Sequence, residues 1–359
     1  MKRILALSID QLYRRQPGGI ATYVRGLIQG LAELGSPYEL VGLSPRGEAS
    51  MDLNSLPLRV NSLPLPVNLV TRLWPIIPLG VPRDAAIVHA TSMAGPFAGG
   101  VEGAVHSVAM HDLLWRDEPI VATRRGISFH EKRLALIRRR DDLRIFTTSP
   151  NLTERLSGFG IDQERIHFVR LGVDARDDHP FDDALVRDFL ASHGVSGPFT
   201  LYAGTREPRK NLTRLIEAHD RARQRHRGLG SLVLVGPEGW GGVPTRDAVV
   251  LGAVERSMLL GLYREATVFA YVALAEGWGL PPVEALHAGT RVVVSRTTPC
   301  VTSNDEVIRV DPLDVDAIAT GLLQAMDQDD GASARQTRQM SVANLTWRNA
   351  ALDHVEGWK

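Results

Sequence analysis

The stretch Ala275-Glu-Gly-Trp-Gly-Leu-Pro-Pro-Val-Glu-Ala-Leu286 decides how the chain is read. Ahead of it, Val268–Val272 is a short apolar run of strand type. Inside it, two glycines and paired prolines break any regular element, and beyond it the pattern turns helical. Proline fits the first turn of a helix, so Pro281-Pro282 mark where that helix opens. A strand, a glycine-broken loop and a helix form a βα unit, and open α/β sheets bind ligands in such loops at the carboxyl ends of their strands. Glu276 falls in the loop and Glu284 in the first turn of the helix. A carboxylate there gains on the order of 0.3–1 kcal/mol from the helix dipole, which accounts for Glu284. Nothing local accounts for Glu276, and Trp278 between two glycines points to backbone shaped for close approach.

The same alternation runs from end to end, which argues an α/β protein with parallel sheets. In the first half the expected strands are Ile4–Ile9, Glu39–Leu43, Ala86–Ala90, His106–Met110 and Arg144–Thr148. In the second they are Thr200–Ala203, Ser231–Val235, Val249–Leu251, Val268–Val272 and Arg291–Val294. Ile20, Val24, Leu27, Ile28, Leu31 and Leu34 make one apolar stripe, predicting a helix over 20–34. The polar, aperiodic stretch 172–180 reads as a linker. The expected division is an N-terminal domain over 1–173, a C-terminal domain over 174–340 and a last helix, 341–359, packing back toward the first domain.

The 359 residues suffice for two domains, each with its own core. Lys+Arg and Asp+Glu balance at 41 each, leaving no overall basic field for nucleic acid. A single cysteine, Cys300, excludes an intrachain disulfide and fits a reducing compartment. The start, MKRILALSID, has a basic then apolar order, but its apolar run ends at Asp10 without a small-residue cleavage site, so it reads as a buried first strand. No apolar run reaches the ~18 residues needed to span a bilayer. The expected location is cytoplasmic, with peripheral contact at the inner face of a membrane as an added expectation.

Four stretches offer chemistry. Pro17-Gly18-Gly19-Ile20 precedes the 20–34 helix, where glycines let a phosphate approach free amides and the positive end of the dipole; a plain loop is the alternative. The run LYAGTREPRKNL, 201–212, places Arg206 and Lys210 in a loop after a strand and before a helix starting near Asn211. Cations there oppose the helix dipole, whereas a bound anion accounts for them; the alternative is a solvated basic loop, with Arg209 read as facing water. Met110-His111-Asp112 ends a strand and offers either a structural histidine or a catalyst, with His89 a weaker candidate of the same kind. Glu276 and Glu284 complete the set. Asp314-Val-Asp316 has an acid-x-acid pattern, yet after Pro312 and before Ile318–Met326 it reads as a helix N-cap. With no other metal-ligand spacing and no Walker, GxSxG or GxGxxG motif, neither metal nor cofactor is expected.

Taken in order, Gly18-Gly19-Ile20, His111-Asp112, Gly204-Thr205-Arg206-x3-Lys210-Asn211-Leu212 and Glu276-x7-Glu284 resemble the retaining glycosyltransferases of family 4. The resemblance covers nearly the whole chain and is strongest from Leu201 to Val294. It implies a GT-B fold, two Rossmann-like doubly wound domains facing across a cleft. It further implies transfer of a sugar from a nucleotide-diphosphate sugar, GDP-mannose or similar, to a hydroxyl of a glycan, glycolipid or glycoside acceptor, without metal. Arg206 and Lys210 would neutralise the donor diphosphate, and Gly18 and Gly19 would offer it backbone amides. Glu284 would accept from the nucleotide ribose and Glu276 from the sugar hydroxyls. The amides of Trp278, Gly279 and Leu280 would line sugar and phosphate, and His111 would lie near the anomeric centre.

The chain departs from the family pattern in three places: Val272-Ala273 replace a usual Pro-Ser, Arg170-Leu171 replace Pro-Asn, and TPCVTSNDEV, 298–307, lacks a Pro-Glu pair. None removes a charged donor contact. The basic run Arg124–Arg140 and the apolar Leu69–Leu79 with Trp74 raise contact with an anionic membrane and a lipid-linked acceptor, against a plain solvated helix face. Two other functions fit the same fold, a nucleotide-sugar epimerase and a non-catalytic nucleotide-sugar binder.

Overall fold

The computed structural model of the chain describes residues 3–14, 18–51, 53–117, 123–173, 182–301 and 305–359. Pro17 and the expected linker from residue 174 lie outside them. The chain divides into two compact units, Met1–Val173 with Leu345–Lys359, and Asp174–Asn344.

The first unit holds seven parallel strands: β1 Arg3–Ser8, β2 Tyr38–Arg46, β3 Arg59–Pro66, β4 Ala85–Ala90, β5 Val105–Met110, β6 Arg144–Thr147 and β7 Ile166–Phe168. Their order is β3-β2-β1-β4-β5-β6-β7. Central strands such as β1 bury Leu5, Ala6 and Leu7 completely, as expected of parallel strands covered on both faces. Around the sheet lie α1 Gly19–Glu33, α2 Val67–Leu73, α3 Leu114–Asp117, α4 Arg124–Arg138 and α5 Pro150–Gly158.

The second unit repeats the plan with six parallel strands: β8 Phe199–Ala203, β9 Ser231–Val235, β10 Val249–Gly252, β11 Val268–Tyr271, β12 Val292–Ser295 and β13 Val307–Val310. Their order is β10-β9-β8-β11-β12-β13. Its helices are α6 Asp183–Ser192, α7 Leu212–Arg225, α8 Arg256–Glu265, α9 Leu280–His287, α10 Val315–Asp327 and α11 Ala332–Ser341. Asp314 caps α10, accepting from the amides of Asp316 at 2.9 Å and Ala317 at 3.1 Å.

The last helix, α12 Trp347–Gly357, belongs to the first unit and packs on α1. Two glycines of α1 permit this approach. A Cβ on Gly26 would stand 2.0 Å from the Trp347 ring, and one on Gly30 would stand 2.1 Å from the Trp347 carbonyl oxygen. The chain enters α12 through a parallel bridge between Val173 and Thr346.

Three strands were not expected from the sequence, β3, β7 and β13, and all three lie at sheet edges. β3 carries Pro64 and Pro66, which an edge tolerates because one side of the strand needs no ladder donor. Trp74 is fully buried and donates Nε1–H to the Leu79 carbonyl at 3.0 Å, so it lies inside the core and not on an apolar surface. Among the described residues no helix is long and apolar enough to cross a membrane.

Each sheet has one strand-order reversal, between β1 and β4 in the first unit and between β8 and β11 in the second. Ligands of open α/β sheets bind at such switch points, beyond the carboxyl ends of the strands. The loop with Arg206 and Lys210 follows β8, and the loop with Glu276 follows β11.

Candidate active site

In the second unit Asn211 fixes the loop after β8. It adopts a left-handed conformation, φ 60°, a region in which asparagine is enriched. Its side-chain amide donates to the carbonyls of Val272 at 3.0 Å and Pro312 at 2.6 Å. That turn sends Lys210 inward. Its Nζ donates to Glu276 Oε2 at 2.5 Å and to the hydroxyl of Tyr271, the last residue of β11. Tyr271 in turn donates to the same carboxylate oxygen at 2.5 Å.

Arg209 joins them. Its Nη1 reaches Glu276 Oε2 at 3.1 Å and the Ala275 carbonyl at 2.8 Å, and its Nη2 reaches Glu207 at 2.6 Å. Arg209 therefore faces the cluster, not water as the sequence suggested. Arg206 takes another course, donating Nη1–H to the Gly236 carbonyl at 2.8 Å. The sequence missed Arg209 because its partner stands 67 positions away.

Burial alone would raise the Glu276 carboxyl, but Lys210 and Arg209 outweigh it and hold the group well below the usual carboxylate range. Burial also lowers Lys210, against the pull of Glu276. We take Glu276 as ionised and salt-bridged: the sequence showed no structural partner for it, and the fold supplies three. Its Oε2 is crowded, whereas Oε1 accepts from the Gly277 amide at 3.1 Å. An ionised carboxylate oxygen accepts more than one hydrogen bond, so Oε1 keeps capacity for a ligand hydroxyl.

The loop then turns at Gly279, φ 97°, which caps α9. A Cβ there would strain the backbone and stand 3.0 Å from Thr298 Cγ2. Cys300 closes the far side, its amide donating to the Trp278 carbonyl at 3.1 Å and its thiol to the Gly279 carbonyl at 2.8 Å. Trp278 is buried, which leaves its backbone as the feature presented by this turn.

Because α9 starts at Leu280, Glu284 is its fifth residue and sits in the second turn, not the first. The dipole therefore accounts for it less well than the sequence implied. Its partners lie on α8: Arg256 Nη1 donates to Oε1 at 2.7 Å and the Tyr263 hydroxyl to Oε2 at 2.9 Å. Neither partner had a signal in the sequence.

In the first unit Gly18 caps α1 and Gly19 begins it. Neither has positive φ, and a Cβ on either would meet open space. Conformation and packing thus place no demand for glycine here, whereas close approach of a ligand to the free amides of α1 would. His111 follows β5. Its Nε2–H donates to the Thr91 carbonyl at 2.9 Å, which leaves Nδ1 as an acceptor, and burial lowers its pKa. A cavity of about 250 Å³ brings His111 together with Gln11, Arg14, Ile20, Asp112 and His130. Asp10, two residues beyond β1, is fully buried, and its Oδ1 has no hydrogen-bond partner among the described residues, while Oδ2 accepts from Gln11 at 3.1 Å. His89 lies in the core, between Tyr23 and Ser107, and does not line the cavity.

Two family models match the chain, one on each unit. "Glycosyl transferase 4-like domain" covers residues 18–172, and "Glycosyl transferases group 1" covers residues 197–328. The chain belongs to the family 4-like glycosyltransferases. It is 32% identical to the O-antigen chain mannosyltransferase B of Escherichia coli over 182 residues, 45% of each chain. It is 27% identical to the MMP alpha-(1->4)-mannosyltransferase of Mycolicibacterium hassiacum over 263 residues, 67% of this chain and 59% of that one. The matched stretches thus span about half the length of these relatives.

Among solved structures, the sucrose-phosphate synthase of Thermosynechococcus elongatus superposes with a TM-score of 0.73 at 18% identity, covering 99% of this chain and 98% of that one. Anabaena HepE, solved with UDP and glucose, gives 0.72 at 15% identity, covering 99% of each. These likenesses concern the fold, and that fold is GT-B, as the resemblance in sequence implied.

Proposed function

We propose that this glycosyltransferase moves a hexosyl group, with retention and without metal, from a nucleotide-diphosphate sugar to an acceptor hydroxyl in glycan, glycolipid or glycoside synthesis. The observation that carries this reading is the buried cluster of Lys210, Arg209, Tyr271 and Glu276 at the switch point of the second sheet. Fixed cations beside an uncrowded carboxylate oxygen suit a ligand that has a diphosphate at one end and hydroxyls at the other. GDP-mannose is the favoured donor, because both relatives described above carry the name mannosyltransferase.

In this reading Lys210 and Arg206 face the diphosphate, with Arg209 added by its place in the cluster. Gly18 and Gly19 offer backbone amides to a donor phosphate. Glu284 accepts from the ribose, and Arg256 and Tyr263 fix its carboxylate. Glu276 Oε1 accepts from a sugar hydroxyl, and the amides of Trp278, Gly279 and Leu280 line sugar and phosphate. His111 stands at the anomeric carbon, and the adjoining cavity, with its polar and aromatic walls, takes the acceptor.

As the bond from the anomeric carbon to the diphosphate oxygen breaks, negative charge grows on the leaving group. Preorganised cations and amides stabilise that charge without reorganising. The acceptor oxygen attacks the same face, and the leaving phosphate oxygen takes its proton, so no carboxylate pair of glycosidase type is needed.

We propose in addition that the enzyme touches an anionic membrane surface when its acceptor is lipid-linked, the alternative for the same residues being a solvated helix face. Helix α4 exposes Arg124, Arg125, Lys132, Arg138 and Arg139 together with Leu136. Its one acid, Glu131, is occupied by Arg116 at 2.6 Å. Arg133 ties α4 to α2 through the Thr71 carbonyl at 2.5 Å, and the α2 segment exposes Leu69, Ile77 and Ile76, the last at 73%. Basic residues near such a surface contribute about 1 kcal/mol each, and the effect is screened by salt. Vesicles of anionic lipid should carry the protein in flotation at low salt; no binding at low or high salt would remove the membrane from the account.

A screen of thermal stabilisation by GDP, UDP, ADP and dTDP tests the donor reading, since a ligand of the folded state raises its stability by mass action. Stabilisation by one of them is expected. A flat response to all four would contradict a nucleotide-sugar site, and stabilisation without turnover would favour a non-catalytic binder.

A further inference from the structure

Beneath His111 the first unit buries a chain of hydrogen bonds whose direction is set at its Ala350 end. At one end the Trp358 indole, which can only donate, gives Nε1–H to Ser107 Oγ at 2.9 Å. At the other, the Ala350 carbonyl, which can only accept, takes Nδ1–H of His354 at 2.7 Å. Neutral His354 then has a bare Nε2, which accepts from the Tyr23 hydroxyl at 2.7 Å. Tyr23 Oη in turn accepts Nε2–H of His89 at 2.8 Å, and the bare Nδ1 of His89 accepts from Ser107 Oγ at 2.9 Å. Working from the Ala350 end with neutral rings fixes the direction of every bond, the Trp358 donor is compatible with it, and the Ser107 proton goes to His89 at 2.9 Å and not to the Val88 carbonyl at 3.5 Å.

The groups come from β4, β5, α1 and the C-terminal helix α12, and Tyr23, His89 and His354 are essentially without exposure. Tyr23 is the member that leaves the chain. Its ring meets the His111 ring edge to face, with centroids 4.9 Å apart and planes at 74°. His111 is otherwise held by the Thr91 carbonyl and through its own carbonyl by Thr148 Oγ1 at 3.0 Å. To these two hydrogen bonds the Tyr23 ring adds contact against the imidazole itself.

We propose that α12 is a positioning element for His111: His354 and Trp358 orient the Tyr23 hydroxyl, and the Tyr23 ring holds the imidazole that lines the cavity. The C-terminal helix thereby sets the geometry of a group in the loop after β5, and its seating on α1 and the readiness of His111 are one event. The functional consequence rests on the reading that His111 acts at the anomeric centre; the coupling itself does not.

The test uses the full chain and three variants. His354→Leu breaks the chain, His354→Gln keeps an acceptor for Tyr23 and a donor for Ala350, and Trp358→Phe removes the terminal donor with part of a ring packed on His89 and His354. Nitrogen-15 and attached carbon-proton spectra of the histidine rings read the environment of the His111 imidazole, and turnover reads kcat and donor KM. His354→Leu should shift the His111 ring signals while the Thr91 carbonyl keeps the Nε2–H tautomer, and lower kcat about tenfold, the scale of a modest misplacement, with donor KM within about twofold. His354→Gln should restore both, and Trp358→Phe should give the same changes in smaller measure. Unchanged His111 signals in folded His354→Leu and Trp358→Phe would overturn the proposal. Full turnover by His111→Ala would instead remove His111 from the catalytic reading, while the spectra still decided the coupling.

Discussion

Replacing Glu276 by glutamine removes one charge from a buried cluster. The side chains of Lys210, Arg209 and Glu276 are 9%, 13% and 14% exposed, so water has little access to compensate. Removing one partner of a buried ion pair costs about 3–5 kcal/mol, because the charge left behind has no counterpart. Glutamine keeps the volume and one acceptor oxygen for Tyr271, which sets the expected loss at the lower end, about 3 kcal/mol. For a unit of this size each kcal/mol moves the midpoint by about 2–4 °C, so the second unit should melt about 6–12 °C lower. An anion should restore what the substitution removed. GDP or inorganic pyrophosphate brings negative charge to Lys210 and Arg209 without competition from Glu276, and should therefore raise the midpoint more in the variant than in the wild type. Scanning calorimetry with and without either ligand reads both effects. Equal midpoints for variant and wild type would refute the buried-pair reasoning. A destabilised variant that neither anion protects better than the wild type would refute the assignment of these cations to the diphosphate.

Glu284→Gln leaves Arg256 and Tyr263 in place but removes the charged acceptor; one charge-assisted hydrogen bond lost, about 1.5 kcal/mol at the low end, predicts roughly tenfold weaker nucleotide binding by calorimetry with kcat little changed. The first unit should lose stability on acidification. Burial, the main cause, lowers His354 from its ordinary 6.5 to about 4. Between those values the unfolded chain takes a proton that the folded one refuses, so the stability present above pH 6.5 is lost as pH falls. From pH 7 to pH 5 the loss is about 2 kcal/mol, read by urea unfolding, and His354→Gln should flatten the dependence. Gly26→Val would drive its side chain into the Trp347 ring, from which even a Cβ alone would stand only 2.0 Å. Overpacking of this kind costs about 1–3 kcal/mol, and displacement of α12 should appear as a red shift of tryptophan emission.

Much of this architecture was legible in the sequence because parallel strands buried on both faces read as apolar runs, and glycine and proline punctuate the loops between them. The stripe from Ile20 to Leu34 gave α1 within a residue at each end. Edge strands were not legible. β3 alternates exposed and half-buried residues around two prolines, and β7 has only three residues. At the site, the loops could be found because they lie at strand ends, but their internal pairing could not. Arg209 and Lys210 are neighbours in a basic run, and only the approach of the loop after β11 turns both toward Glu276. Pro281-Pro282 announced a helix start, yet the left-handed Gly279 fixes its first residue and moves Glu284 into the second turn. Tyr23 and His354 stand 331 positions apart, and no local pattern marks either as part of one chain.

The central claim is that this chain cleaves a nucleotide-sugar with its own cations and amides. The direct measurement is release of nucleoside diphosphate from GDP-mannose, with UDP-glucose and the ADP and dTDP sugars in parallel, by purified protein in EDTA. Slow release from one donor, undiminished by the chelator and abolished in Glu276→Ala, is the predicted result. Release from none of them, or release that requires an added divalent metal, would contradict the account.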